Sequence, residues 1–346
     1  MSLAAGAPLL VRSRPAALAL LAGLLLVGLT LSVMIGTVPV GPARMIRALA
    51  GTGAADDPAL AIVREIRVPR AALAGLVGAC LALAGLGFQA ISRNPLADPS
   101  VLGVSSGASF GVVVAMLLGL ASSSGHPALV TLFAFGGAVL AALIVYAVAR
   151  VDGRLPITTL LLSEVIIGLF FTSYVMLGTA LLASNELQAV VFWLMGNLAP
   201  VGESTLAILG LSLAAGALIL ARQALRLNIL ALGEEQALQL GVEAERVKRV
   251  VFVIASLLTG ASVAAAGSIG FVGLIVPHAA RLMLGPDNRT LVPATGLLGA
   301  AFLVLADLVA RTVAAPAEVP VGVITAFCGA PLFVYLLRTR RGGEPL

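Results

Sequence analysis

With 346 residues, 60% of them hydrophobic and 11% charged, and a mean hydropathy of +1.10, the chain is far more apolar than a soluble globular protein and reads as an all-α polytopic membrane protein. A net charge of +5 would suit nucleic acid, but the basic residues stand singly between apolar segments without aromatic interleaving; they read as topology signals, and no nucleic-acid partner is expected. Cys80 and Cys328 lie inside apolar runs with no CxxC or Cys/His cluster, so packing is expected of them and not metal or redox chemistry.

A helix crosses the hydrocarbon with ~20 apolar residues. About ten segments fit, roughly 15–36, 69–91, 101–120, 127–149, 156–183, 201–221, 247–266, 269–285, 291–312 and 321–338. The first follows Arg12 and Arg14 and exceeds the ~7–15 residues of a signal-peptide core, so it is read as a true span. A cytoplasmic N-terminus places Arg93, Arg150, Arg154, Arg222, Arg226, Arg246, Lys248, Arg249, Arg289, Arg338, Arg340 and Arg341 on the inner side. The positive-inside rule then selects an even number of spans and two cytoplasmic termini. The chain is expected to be one transmembrane domain, 1–346, with short tails at 1–14 and 339–346 and a cytoplasmic loop at 222–249.

After the first span, 37–68 carries turn signals at Pro39, Gly41-Pro42 and Asp56-Asp57-Pro58, and exposes Arg44, Arg47, Arg64, Arg67 and Arg70 on the outer side, as Arg311 is further on. In the second span Ala71, Gly75, Gly78, Ala82, Gly85 and Gln89 recur at steps of three or four, predicting one small face and close helix contact. The stretch 89–107 interrupts the apolar pattern. Asn94-Pro95 and Asp98-Pro99 predict a double turn, and Gly103, Gly107 and Gly111 leave a bare stripe against which another backbone can lie. Glu164, Gly168, Thr172, Val175 and Thr179 form a stripe on the fifth span that can line a cavity; Glu164 is expected either to face the pathway or to bond a neighbouring helix.

Further along, 184–200 is too short to cross and reads as an interfacial or re-entrant helix with Trp193 at headgroup depth. The segment ALGEEQALQLGV at 231–242 predicts a short helix with Leu232, Gln236 and Gln239 at helical spacing and Glu234 and Glu235 at its start, where the dipole favours acid. Gly267, Gly270 and Gly273 before Pro277 predict broken helix near membrane depth, tolerated only where protein or water covers the backbone. Asp307 and Arg311, four apart, are expected to pair. His278 is expected to be packed or capping, and His126 solvated.

RVPR at 67–70, GACLALAGLGFQ at 78–89, RNPLADPSVLGVSSGA at 93–108, ALGEEQALQLGV at 231–242, GSIGFVGLIVPHAAR at 267–281, LADLVAR at 305–311 and EVPVGVITAFCGAPLFVYLL at 318–337 together resemble the FecCD family, the permease subunits of ABC importers for iron chelates, haem and cobalamin. The resemblance implies a ten-helix subunit of the bacterial inner membrane that pairs with a second copy of itself, with two cytoplasmic ATPase subunits below and a periplasmic substrate-binding protein above. It also implies that 230–242 is the ATPase-coupling segment, through Leu230, Leu232, Gly233, Glu234, Glu235, Gln236, Leu240 and Gly241. Arg67, Arg70 and Arg311 match positions that meet acidic residues of the binding protein. Asn94 and Leu96 match a cytoplasmic gate, and the fifth span, with Thr158, Glu164, Gly168 and Thr172, matches the pathway lining. Where relatives carry a small Ala-Gly pair on that span, this sequence has Ser163-Glu164.

No GxxxxGK[ST] loop is present, so ATP and magnesium are expected on the partner ATPase and no cofactor, metal site or catalytic residue on this chain. The polar fifth-span stripe favours an iron chelate, siderophore or haem, with cobalamin the alternative in the same family. Intramembrane Glu164 and Asp307 keep a proton-coupled secondary transporter in competition. An intramembrane enzyme finds no HExxH and no nucleophile-base pair.

Overall fold

The structure, a computed structural model, describes residues 14–36, 40–50, 52, 58–98, 103–120 and 127–340. Pro99, His126 and the outermost tails, for which expectations were given above, lie outside them. Helix α1 (Arg14–Met34) is followed by a short connection containing α2 (Pro42–Ala50) and α3 (Pro58–Ala61). A π-helical turn, Ile62–Arg67, then runs directly into α4 (Val68–Ser92). Next come α5 (Gly103–Leu117), α6 (Pro127–Ala149), α7 (Ile157–Leu181), α8 (Ser184–Leu194), α9 (Glu203–Leu230), α10 (Glu234–Gln239), α11 (Ala244–Ala266), α12 (Val272–Leu284), α13 (Asn288–Thr312) and α14 (Val321–Arg340). Among the described residues, 7 helices are long and apolar enough to cross a membrane, and α5, α12 and 321–334 are apolar but shorter.

Helix α4 is the hub. In its most apolar window 83% of the residues are buried, against 17% for α9 and 22% for α1. The sequence predicts one small face; the structure buries the other sides too, with Leu73, Leu81, Leu86 and Phe88 all shielded. Helices α9, α11, α12 and α13 surround it. The small positions let backbones touch: a Cβ on Gly78 would run into the Gly299 carbonyl, and one on Gly85 into the backbone of Gly273. Lipid tails are as apolar as leucine, so this assembly rests on close packing and not on escape from water. The Gly107 and Gly111 stripe on α5 is used the same way, against Gly137 and Phe133 of α6.

The expected break between the seventh and eighth segments is present, but it lies at 267–271 with Pro277 inside α12. Gly267 and Phe271 both take positive φ, 72° and 69°. This irregular backbone is covered by protein. Asn197 N donates to the Ala266 carbonyl (2.8 Å), Gly267 abuts the Trp193 carbonyl, and Gly322 at the start of α14 abuts that of Met195. Pro277 has no N–H for the carbonyl four residues earlier, Gly273. Gln89 of α4 fills the vacancy, its Nε2 donating to Gly273 O (3.1 Å) and Leu274 O (3.2 Å) while Arg281 donates to its Oε1.

Trp193 packs inward against Val104, Ala108, Ala138 and Val263. Helices α1 and α13 run parallel and are pinned at both ends. Arg14 pairs with Asp287 at 2.9 Å, and Arg311 donates to Ser32 Oγ at 2.8 Å. Asp287 caps α13 by accepting from Arg289 N. Hydrogen bonds from the Arg289 side chain, and from Asn228, outweigh its desolvation and hold its carboxyl well below the usual range.

Candidate functional site

Three features converge as candidates. The first is a pair of adjoining cavities that share Leu194, Ser268, Gly270 and Phe271. The larger, about 1000 Å³, is walled by α8, the 267–271 break and α14, and is almost wholly apolar. The smaller, about 510 Å³, lies between α5, α7 and α8 and carries the hydroxyls of Ser105, Ser106, Ser109, Thr172, Thr179 and Ser268. No Asp, Glu, Lys or Arg lines either one. Ser105 and Ser268 oxygens lie 3.0 Å apart, Ser109 donates to Ser105 O (3.0 Å), and Thr172 donates to Gly168 O (2.8 Å). A wall of this kind exchanges neutral hydrogen bonds with a solute and traps no charge.

The fifth-span expectation divides here. Thr172, Val175 and Thr179 reach the smaller cavity, whereas Glu164, 1% exposed, and Gly168 do not. The Glu164 end of the stripe packs on α5, where Gly103 lies against the Glu164 backbone. A carboxylate in hydrocarbon is costly and turns to protein. The outward face of α7 carries Leu169, Phe170, Met176 and Leu177 instead.

The second feature is the turn around α10. Gly233 (φ 124°) and Gly241 (φ 75°) let the chain leave α9, make the short helix and return into α11. Ala237 and Val242 anchor it in the core, while Leu232, Leu238 and Leu240 stand 60–71% exposed with Glu235 and Gln236 beside them. Leu230, expected at the partner contact, is 1% exposed and packs into the chain's own core; as the last residue of α9 it belongs to the bundle. Glu234 is engaged as well. Lys248, 2% exposed, pairs with Glu234 (2.8 Å) and Glu245 (2.9 Å) and donates to the Leu155 carbonyl (3.4 Å). Arg93 approaches Glu234 at 3.8 Å.

The expected gate residues sit at this same end. Arg93 takes a left-handed conformation (φ 50°) that ends α4. Asn94 then accepts the Leu96 N–H on its side chain (2.9 Å), closing the first of the two expected turns, with Asn94 and Leu96 half-buried. Thr158 is exposed in the first turn of α7, three residues after the Leu155 that joins the Lys248 cluster.

The third feature corrects an expectation. Arg67, Arg70 and Arg311 do not offer their charge outward; they are 4%, 9% and 5% exposed. Arg70 pairs with Asp307 (2.9 Å) and Glu318 (2.8 Å), and Arg311 makes the expected pair with Asp307 (2.9 Å). Arg67 donates to Val33 O and Met34 O, Arg311 to Ser32 O and Ile35 O. The last carbonyls of α1 lack helical partners, and two guanidiniums supply them. The exposed cations of this end are Arg44, Arg47 and Arg64.

Sequence reasoning missed Lys248, Leu238 and the serines of α5. Lys248 reads as one more inner-side cation until its two carboxylates are seen around it. Leu238 falls off the Leu232, Gln236, Gln239 stripe. The serines follow a glycine stripe that drew attention to packing, although Ser105 and Ser109 at i, i+4 share one face.

The fold and cavities define a polytopic, all-helical membrane permease. The pattern of the FecCD transport family matches residues 24–339, so the chain belongs to that family of ABC importer permease subunits. It is 45% identical over 292 residues, 82% of this chain and 75% of the relative, to the cobalamin import system permease protein BtuC of Halobacterium salinarum. It is 37% identical over 284 residues (80% and 83%) to the hemin transport system permease protein HmuU of Yersinia pestis. A solved metal-chelate type ABC transporter in an inward-facing conformation superposes with a TM-score of 0.80 at 31% identity, covering 94% of this chain and 99% of that one.

Proposed function

We propose that this chain is the membrane-spanning subunit of an ATP-driven importer that carries a bulky metal chelate inward through a pathway completed by a second copy. The observation that carries the reading is the uncharged double cavity, with Met176 of α7 and Phe327 of α14 exposed on its rim and Leu169 and Phe170 exposed further along α7. A second subunit covers these faces and closes the cavity. The parallel pinning of α1 and α13 requires an odd number of crossings between them, which fits ten spans when both α5 and α12 cross, with the termini placed in the cytoplasm by the distribution of arginines.

In this arrangement two cytoplasmic ATPases bind ATP and magnesium and engage α10 through Leu232, Leu238, Leu240, Glu235 and Gln236. Lys248 links that contact to 93–96 and to Leu155, so movement of α10 reaches the inner gate. The periplasmic binding protein docks on the rim of α2 and the π turn, where Arg44, Arg47 and Arg64 are exposed, with Arg67, Arg70 and Arg311 bracing the platform beneath. The setting is a bacterial inner membrane.

For the cargo, burial of Glu164 takes the one charged member of the fifth-span stripe out of the cavity and leaves its threonines. Neutral walls and 45% identity to a cobalamin permease favour a corrinoid. An iron chelate is the second reading, favoured by the six hydroxyls of the smaller cavity, which suit hydroxamate or carboxylate oxygens. The test is uptake into vesicles holding the chain with its ATPase and binding protein, offered labelled cobalamin, ferric hydroxamate and haem in turn. ATP-dependent uptake of one of them is expected. Uptake by the chain alone, driven by a proton gradient without nucleotide, overturns the proposal.

A further inference from the structure

Helices α6 and α11 leave a third hollow between them, away from the double cavity. It holds about 360 Å³ and is lined mostly by apolar side chains, with Tyr146, Arg249 and Ser256 as its polar members. Its walls include outward-facing Leu143 (60% exposed) and Val253 (49%), so it opens sideways from the bundle.

Both helical stripes that form it run to arginine at one end, the end that carries α10. On α6 the lining positions Val139, Leu143 and Tyr146 continue by one further turn to Arg150. On α11, Ser256, Val253 and Arg249 step back to Arg246 at the same spacing. Arg154 follows on the hairpin after α6, whose turn is closed by backbone bonds between Val151 and Arg154. All four arginines are exposed, and among the described residues none pairs with a carboxylate. A general excess of basic residues at the inner surface accounts for arginines at helix ends. It does not account for an apolar slot aligned beneath them.

We infer that this slot is a binding site for one anionic phospholipid, an acyl chain lying between α6 and α11 and the headgroup phosphate held by Arg249 with Arg150 and Arg246. The complementarity has two parts, and no soluble anion satisfies both. Phosphate alone leaves the apolar slot empty, and a zwitterionic lipid gives the arginines no net charge to neutralise. Basic pockets between membrane helices recognise acidic headgroups in this way.

The test uses the full-length chain, exchanged in detergent against an equimolar mixture of phosphatidylglycerol and phosphatidylcholine and examined by native mass spectrometry. Retained phosphatidylglycerol should exceed phosphatidylcholine by about fivefold or more, each arginine near a headgroup contributing about that factor. Arg249→Gln should lower the preference about fivefold. Val253→Trp, an exposed position where added bulk fills the slot without touching the core, should reduce retention of both lipids. Size-exclusion profiles matching the parent confirm that both variants are folded. Equal retention of the two lipids by the parent overturns the assignment. So does a preference that survives both variants, which places the lipid elsewhere, or displacement of the lipid by millimolar inorganic phosphate, which makes the site one for free anion.

Discussion

Gln89 shows how one polar side chain makes a proline tolerable inside a packed helix. Its amide replaces the donor that Pro277 lacks, while its carbonyl oxygen receives Arg281. Gln89→Leu keeps the volume near constant and leaves the buried Gly273 carbonyl without that donor, a loss of ~1–3 kcal/mol. The expected outcome is a lower melting temperature of the solubilised chain, with Gln89→Glu also destabilised because it accepts where a donor is needed. An unchanged melting temperature in Gln89→Leu means that another group caps the carbonyl. The sequence marks Gln89 as a polar end to an apolar stripe; its partner, 184 residues away, is invisible until the helices are assembled. The same holds for Arg67, Arg70 and Arg311. Their identity and outer placement are legible, but whether a guanidinium faces a partner protein or the carbonyls of α1 depends on where α1 ends in space.

At the level of elements, the α10 turn combines a rigid joint with an exposed apolar surface. Gly233 and Gly241 set its corners, and Lys248 ties it to the start of α11, to the 150–155 hairpin and, through Glu234, to the residue that ends α4. Lys248→Met keeps the buried stem and removes the charge. In the reconstituted complex it should lower uptake per ATP hydrolysed by roughly two- to thirtyfold, the range seen when a coupling link is cut. ATPase subunits should still co-purify, since Leu232, Leu238 and Leu240 remain. Wild-type coupling in Lys248→Met would make the cluster a static brace. Helix positions were largely legible because apolar runs of spanning length and glycine stripes at i, i+4 have few alternatives in lipid. What periodicity does not reveal is which stripe faces which neighbour. The Glu164 to Thr179 stripe is legible as a distinct face of α7, and Thr172, Val175 and Thr179 line the smaller cavity; its Glu164 end meets α5 instead, because a small polar face packs as well against a serine-bearing helix as around a pathway.

For the whole molecule, the uncharged cavity at one side and the arginine-braced platform at one end divide the labour. Docking is predicted to follow the exposed cations. The triple change Arg44→Glu, Arg47→Glu and Arg64→Glu should weaken binding-protein attachment about tenfold or more, mainly through a slower association rate that is sensitive to salt, with melting lowered only by loss of the Arg64 bond to the Ala48 carbonyl. Arg70→Gln should do the reverse, destabilising the chain by ~1–3 kcal/mol because Asp307, wholly buried, loses one of its two charged partners and keeps Arg311. Surface plasmon resonance and thermal melts, run on the same preparations, separate the two. Association unaffected by the triple change places the docking surface elsewhere.

The burial of α4 on every side has a consequence for how the protein is made. A segment leaves the translocation machinery into lipid, yet α4 ends with scarcely any lipid contact, and the helices that enclose it (α9, α11, α12 and α13) are all synthesised after residue 202. Its glycine-lined surfaces therefore face acyl chains through the insertion of α5, α6 and α7, and maturation consists in later arrivals displacing lipid from around an early one. A chain halted before α9 accordingly lacks all four of the helices that enclose α4.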